Sequence, residues 1–429
     1  MKKIALLLCT LAGVLYLIYA KNQSPVVQST DFEKYLNPDY LNKKKSDLES
    51  STHFWEQKLS LSPDNTVYQR KLAGLHAAQF KLSGNPKHLA TTDSLLEIVH
   101  QHHQKDPGVL HALAANAITQ HAFQRANKYT DAAYQLGEKH FASSLLRVDV
   151  LLERGQLYSA NRILQSIQSD HHFDYLIRSV KYQDQIGDLP KAIELMEEAS
   201  QKAIESGNPG KCNWALSNLA DMYGHDGQIR KSYQTYLRAL ENDPADMHAL
   251  KGIAWIAFSH DQNTDEAKRI LHFLQTVHPI PDYELLLAEI AAFENDSVAQ
   301  KEHEAKFLSK AGMPMYGNMY KKYICELQSS SPESIDIARA EIQERPHPLS
   351  YDLLAWTSFQ NGETKKALDL VETHVLNQTE EPTALLHSGL ILKANGQQQK
   401  AREYLLAALE SEFELGPVAA NEIRTQLTN

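Results

Sequence analysis

The sequence predicts an all-α solenoid of antiparallel helix hairpins, and three observations carry that prediction. From about His53 onward, apolar residues recur at the helical i, i+3, i+4 spacing. No short segment alternates apolar and polar residues between turn signals as a strand does. A small residue returns at Ala126, Ala160, Ala192, Ser232, Ala267, Ala299, Ser334, Ala367 and Ala401, at intervals of 34, 32, 40, 35, 32, 35, 33 and 34 residues. A rhythm of that length marks stacked helix pairs, each burying its apolar face only against its neighbours. The 429 residues therefore measure how many hairpins are stacked, about nine or ten, in one elongated array.

In chain order, Met1-Lys2-Lys3 and the apolar run Ile4 to Ala20 read as an export signal. The run is long enough either to be removed at Ala20 or to stay as an anchor, and both outcomes stand. The Met-Lys-Lys start points to a bacterial chain. Cys9 follows Leu6-Leu7-Leu8 too early in the run for lipid attachment. Residues 21–50 carry Lys43-Lys44-Lys45 and many polar residues with little apolar period, so they are expected to form a polar tether with a solvated basic run. Trp55 to Pro63 ends a first unit, and a longer hairpin runs from Val67 to Asp106.

The clearest unit begins near Asn213. Leu216, Leu219, Ala220 and Tyr223 share one face of a first helix, Gly227 turns the chain, Ser232, Tyr236 and Ala239 line a second helix, and Pro244 ends it. Small residues stand where two helices cross closely and large ones fill the gaps beside them. This pattern resembles the tetratricopeptide repeat, a unit of about 34 residues. Turn glycines at Gly155, Gly187, Gly362 and Gly396, and prolines at Pro279 and Pro346, extend the register. The units around Ala299 and Ser334 are the weakest, with His303 and Ala338 where an aromatic is expected. The resemblance covers roughly residues 51–415 and implies a right-handed α-solenoid. Residues 416–429 are expected to form a helix that caps the stack.

Composition and motifs narrow the function. A net charge of -10 disfavours nucleic acid, which needs a basic stripe. No phosphate loop, nucleophile elbow or metalloprotease motif occurs, so neither an enzyme nor a cofactor is expected. His100 and His103 share a helix face without an accompanying carboxylate or thiol, and no metal site is expected. Cys212 and Cys325 are expected to be buried, unpaired thiols.

The resemblance implies a concave groove lined by the first helices. Its register places His248, Lys251, Trp255 and Phe258 of one unit there, and Asp352, Trp356 and Phe359 of another. Both share the pattern Ala-Trp-x-x-Phe, and aromatic anchors with nearby charges suit an interface hot spot. Rings packed against the next unit are the competing reading. The family's clamp for the carboxylate tail of a cytosolic chaperone is incomplete: Asn218 fits, but Ile177, Lys181, His248 and Gly252 do not supply the remaining groups. The reading is a non-enzymatic scaffold for a protein or peptide partner, exported and periplasmic or envelope-associated, touching membrane only through an amino-terminal anchor. The alternative is a helical-repeat protein that binds glycan or another nutrient at the cell envelope through its aromatic rings.

Overall fold

The computed structural model describes residues 25–428, and every regular element among them is helical. The signal or anchor reading of residues 1–20, Cys9 included, lies outside the described residues. Among the described residues no helix is long and apolar enough to cross a membrane.

Ten helix hairpins follow one another from Thr66 to Glu410. Eight of the nine small marker residues are buried, and Ala299, in a unit that the sequence marks as weak, is only half-buried. Ser232 stands in for alanine because its hydroxyl donates to the Ala220 carbonyl at 2.7 Å, which satisfies the polar atom inside the crossing. The turns hold a left-handed residue after the first helix, at Gly155 (φ 67°) and Gly227 (φ 72°) for example. Three units use His121, Gln262 and Asn295 at this position instead of glycine. Asx caps start many of the helices: Asp246, for instance, accepts the Ala249 N–H at 3.0 Å. The weak unit around Ser334 departs most. Its first helix is only Lys321–Leu327, preceded by a short 3-10 turn at Pro314–Tyr316.

The 35-residue interval between Ser232 and Ala267 has a structural outcome. The extra residue is absorbed by a π-turn at Ile256–His260, where the Asp261 N–H reaches back five residues to the Ile256 carbonyl at 3.1 Å. The turn rotates the end of that helix. Phe258 lies nine residues before Ala267, as core Tyr223 lies nine before Ser232, and it is fully buried. Its assignment to the groove is therefore corrected: the inserted residue carries it round to the core.

The elongated array is also corrected, because the superhelix winds tightly enough for its second turn to lie on its first. Gly84 abuts Ile280, Gly317 approaches Gln120, Gly155 meets His347, Gly187 meets Glu380 and Gly224 meets Phe413. These pairs are 196, 197, 192, 193 and 189 residues apart, so about six repeats make one turn. Hydrogen bonds stitch the seam. Tyr316 Oη donates to the Gly84 carbonyl at 3.3 Å, the Gln124 amide donates to the Gln343 carbonyl at 2.7 Å, and Arg345 reaches Glu153 at 3.5 Å.

The expected tether is likewise corrected over its described part. Val26, Val27, Phe32 and Tyr35 are buried in the core around Tyr233 and Phe258. The Val26 and Val27 amides donate to the Asp261 carboxylate at 2.9 and 2.8 Å. A 24-residue helix, Pro38–Leu61, then begins at an Asn37 cap. Lys44 pairs with Asp243, and Lys45 donates to the Val277 carbonyl at 2.7 Å. Two of the three lysines thus grip acceptors at helix ends. The apolar residues here are too few to show a period, and the surface they cover lies some 200 residues away.

Candidate binding groove

The first helices of successive hairpins line the inner face, and their charges are joined in a ladder from unit to unit. Arg178 pairs with Asp149 at 2.7 Å and Lys211 with Asp174 at 3.3 Å, while nearer the start of the array Arg147 reaches Asp131 on the preceding second helix at 3.1 Å and Arg125 and Asp93 pair at 2.7 Å between two second helices. His248 continues the series on Asp221 at 2.7 Å, and Lys251 faces Asp282 at 3.8 Å. Burial pulls the His248 imidazole down, but the hydrogen bond and charge of Asp221 outweigh it and hold its pKa above the ordinary histidine value. These acids are engaged by cations of the neighbouring hairpin, an arrangement that fixes the stack and leaves recognition to what lies between the rungs.

Between the rungs is a cavity of about 590 Å³ on the helices Phe173–Gln185 and Pro209–His225. Ile177, Val180, Met196 and Met222 give it an apolar floor, with Trp214 at its wall and Asn218, Asp184 and Lys181 on its rim. The Trp214 ring is 44% exposed and meets Phe173 edge-on at 6.2 Å, so much of its apolar surface is offered to solvent. Desolvation raises the Asp184 carboxyl above the usual carboxylate range. A pocket of this size, apolar with a few polar rim groups, suits a small ligand or a short peptide segment.

The nominated groove residues separate into three groups. His248, Lys251 and Trp255 line a second cavity of about 270 Å³, which shares Asp221 and His225 with the first. Trp255 also donates through Nε1 to the Phe413 carbonyl at 3.1 Å and meets the Phe413 ring edge-on at 6.3 Å. Asp352, Trp356 and Phe359 lie elsewhere. Trp356 stacks on His387 of the next hairpin, with centroids 4.1 Å apart and planes at 8°, and His387 is bonded to buried Asp352 at 2.9 Å. Phe359 packs half-buried against Ala355, Ala367 and Ile391. This second set therefore forms an inter-repeat contact, and the two Ala-Trp-x-x-Phe patterns do not make one site. Trp214 was overlooked, although it holds the same place in its unit that His248 holds in the next, both lying close to the start of their first helices.

The other expected sites resolve simply. No group of three His, Cys, Asp or Glu residues suited to a metal occurs among the described residues. His103 Nε2 is 3.1 Å from the Thr66 hydroxyl, and the His100 ring meets Tyr129 edge-on. Cys212 and Cys325 are unpaired; Cys325 is buried and its thiol is pushed up to about 12 by burial, whereas Cys212 is half-buried.

Residues 382–414, which span the hairpin of Pro382–Ala394 and Gln398–Glu410, match the family model described as tetratricopeptide repeat. The chain carries a tetratricopeptide repeat. Its hairpins upstream of this repeat are stacked in the same register of buried small residues. Comparison with curated proteins gives no match. Among solved structures, the chain is similar to a human IFIT1 dimer with PPP-AAAA, at 15% identity, 72% of this chain, 71% of that one and a TM-score of 0.46. It is also similar to a tetratricopeptide repeat protein from Parabacteroides merdae, at 18% identity, 60% of this chain, 97% of that one and a TM-score of 0.34. Yeast Tom70 is similar at 11% identity over 94% of this chain and 97% of that one, with a TM-score of 0.31.

Proposed function

We propose that this tetratricopeptide-repeat solenoid is a non-enzymatic scaffold that binds a peptide segment of a protein partner in the groove between Asp149 and Trp255, outside the cytoplasm at the cell envelope. The observation that carries the reading is the cavity at Trp214: an exposed ring over an apolar floor, on rigid helices, with Asp184 on the rim beside Lys181 and Asn218, which bond Glu153 and the Trp214 carbonyl at 2.7 and 2.8 Å. Buried aromatic anchors inside a polar rim are what concentrate binding energy in protein interfaces. The net charge of -10 and the pairing of most groove cations with acids favour a peptide over a polyanion. The place of action rests on the apolar run Ile4 to Ala20; mass spectrometry of the mature amino terminus distinguishes a cut at Ala20 from a retained anchor, and chain retained in the cytoplasm would remove the envelope from the proposal.

A photocrosslinking amino acid at position 214, introduced in the native host, is expected to capture one discrete partner. Position 158 is the control, because Tyr158 is 77% exposed on a second helix away from the groove. Equal adducts from both positions would remove the groove from the reading.

A further inference from the structure

The helix Gln398–Glu410 is followed by a strap, residues 411–416, that turns back into the groove before the last helical segment. Gly416 makes this possible at φ 80° and ψ 164°, backbone angles open to glycine alone. A methyl group there would stand 2.3 Å from Glu289 Oε1 and 2.9 Å from the Trp255 ring. Residues beyond Pro417 pack independently on the last hairpin, through Ile423, Ala419 and Leu427 against Leu385 and Leu405.

The strap is seated as a ligand is seated. Its Phe413 carbonyl accepts two hydrogen bonds, from Trp255 Nε1 at 3.1 Å and Ser259 Oγ at 2.7 Å. Its Phe413 ring lies over Gly224, where a methyl group would stand 2.9 Å from Cε1. Its Glu414 carboxylate lies 3.8 Å from His225. The seat is also larger than its occupant, since the cavity of about 270 Å³ remains between Phe413, Tyr236 and Lys251.

We infer that the strap is an intramolecular ligand, and that this end of the groove recognises an aromatic residue followed by an acidic one on a turned backbone. The inference rests on the groove being a peptide site and specifies what that peptide presents: a ring for the floor at Gly224, a carbonyl for Trp255 and Ser259, and a carboxylate for His225. A partner segment of this chemistry displaces Phe413 and gains the unfilled space beside Lys251. Until then the strap competes from within the chain, at the high effective concentration of a tethered ligand.

The test uses a fluorescent peptide copying residues 411–416, with anisotropy read on the full chain. Phe413→Ala vacates the seat, and peptide affinity is expected to rise about tenfold or more over the unaltered protein, as removal of a tethered competitor requires. A peptide with alanine in place of its phenylalanine is expected to bind neither protein, and adding Ser259→Ala to Phe413→Ala is expected to reverse the gain. Circular dichroism checks that Phe413→Ala folds; Glu414→Gln, which removes the charge and spares the ring, provides a second loosened strap with a smaller gain. Equal affinity for the loosened and unaltered proteins, or equal binding of the two peptides, would overturn the inference. Adducts from position 214 test the groove on their own, so their persistence beside a failed gain at Phe413→Ala would sink the strap and leave the groove.

Discussion

Gly252→Ala is expected to destabilise the solenoid by about 3 kcal/mol, near the upper end of the range for overpacked cores. Gly252 lies inside the helix Met247–Trp255, where its lack of a side chain lets the buried Tyr236 ring of the preceding hairpin rest on the helix backbone. An added Cβ would lie 2.2 Å from Tyr236 Cζ and 2.5 Å from its hydroxyl. The ring has no easy retreat, because its hydroxyl donates to Asp221, which also holds His248 at 2.7 Å. Moving it breaks a charge-assisted bond, which costs about 1.5–3 kcal/mol, against a helix-propensity gain of up to about 1 kcal/mol from replacing glycine. Two other helical glycines provide the scale. Gly74 has nothing within 4 Å of a built Cβ, so Gly74→Ala is expected to stabilise by about 0.5–1 kcal/mol. Gly389→Ala meets the Leu405 side chain at 2.7 Å and falls between them. Chemical denaturation of the three variants checks the order, and a Gly252→Ala protein as stable as the parent would show that the crossing is slack.

That crossing also shows what could be read from the sequence and what could not. Small residues at fixed intervals and Gly155, Gly187, Gly227, Gly362 and Gly396 in the turns are local signals, because one residue's size or backbone freedom decides each. They located the hairpins correctly. The interval of 35 residues between Ser232 and Ala267 is only one longer than the repeat, and the hydrogen bonding at Ile256–His260 is what shows where the chain absorbed the extra residue and that Phe258 was carried inward. Trp214 was open to the same register that nominated His248. The seam was not legible: Gly84 with Ile280 or Gly155 with His347 are contacts between residues nearly 200 apart, set by the summed rotation of six hairpins. The burial of Val26, Phe32 and Tyr35 depends on that same curvature. The covering of Trp255 by Phe413 depends on it as well.

The seam carries the second large prediction, a loss of stability on acidification that histidine substitution removes. His278 lies beside Ile280 at the Gly84 contact and is bonded to the Tyr283 hydroxyl at 2.9 Å. Burial first, then the charges of Lys45 and Lys251, hold its pKa at about 4 against the opposing pull of Asp282. His347 lies against Gly155 and is likewise held at about 4 by burial and Arg345, with Glu153 opposing. Both folded values stand below the unfolded value of about 6.5, so the unfolded chain binds more protons and stability falls as pH drops from about 6.5 toward 4. Between pH 7.5 and 5 each histidine is expected to remove about 2 kcal/mol. Glu289 acts in the opposite sense. Burial pushes its carboxyl up to about 7, so the folded chain takes the proton first, and the same acidification returns about 2 kcal/mol. Asp184, Glu326 and Glu414, all raised by burial, share that sign. In the parent these carboxyls partly offset the histidines, and variants expose the separate terms. Glu289→Gln should lose about 2 kcal/mol more than the parent over this range, and His278→Asn with His347→Asn should lose about 4 kcal/mol less. Urea midpoints at the two pH values measure both differences. Parallel pH dependence in the parent and the double histidine variant would show that the second turn of the superhelix does not shield these imidazoles from protons.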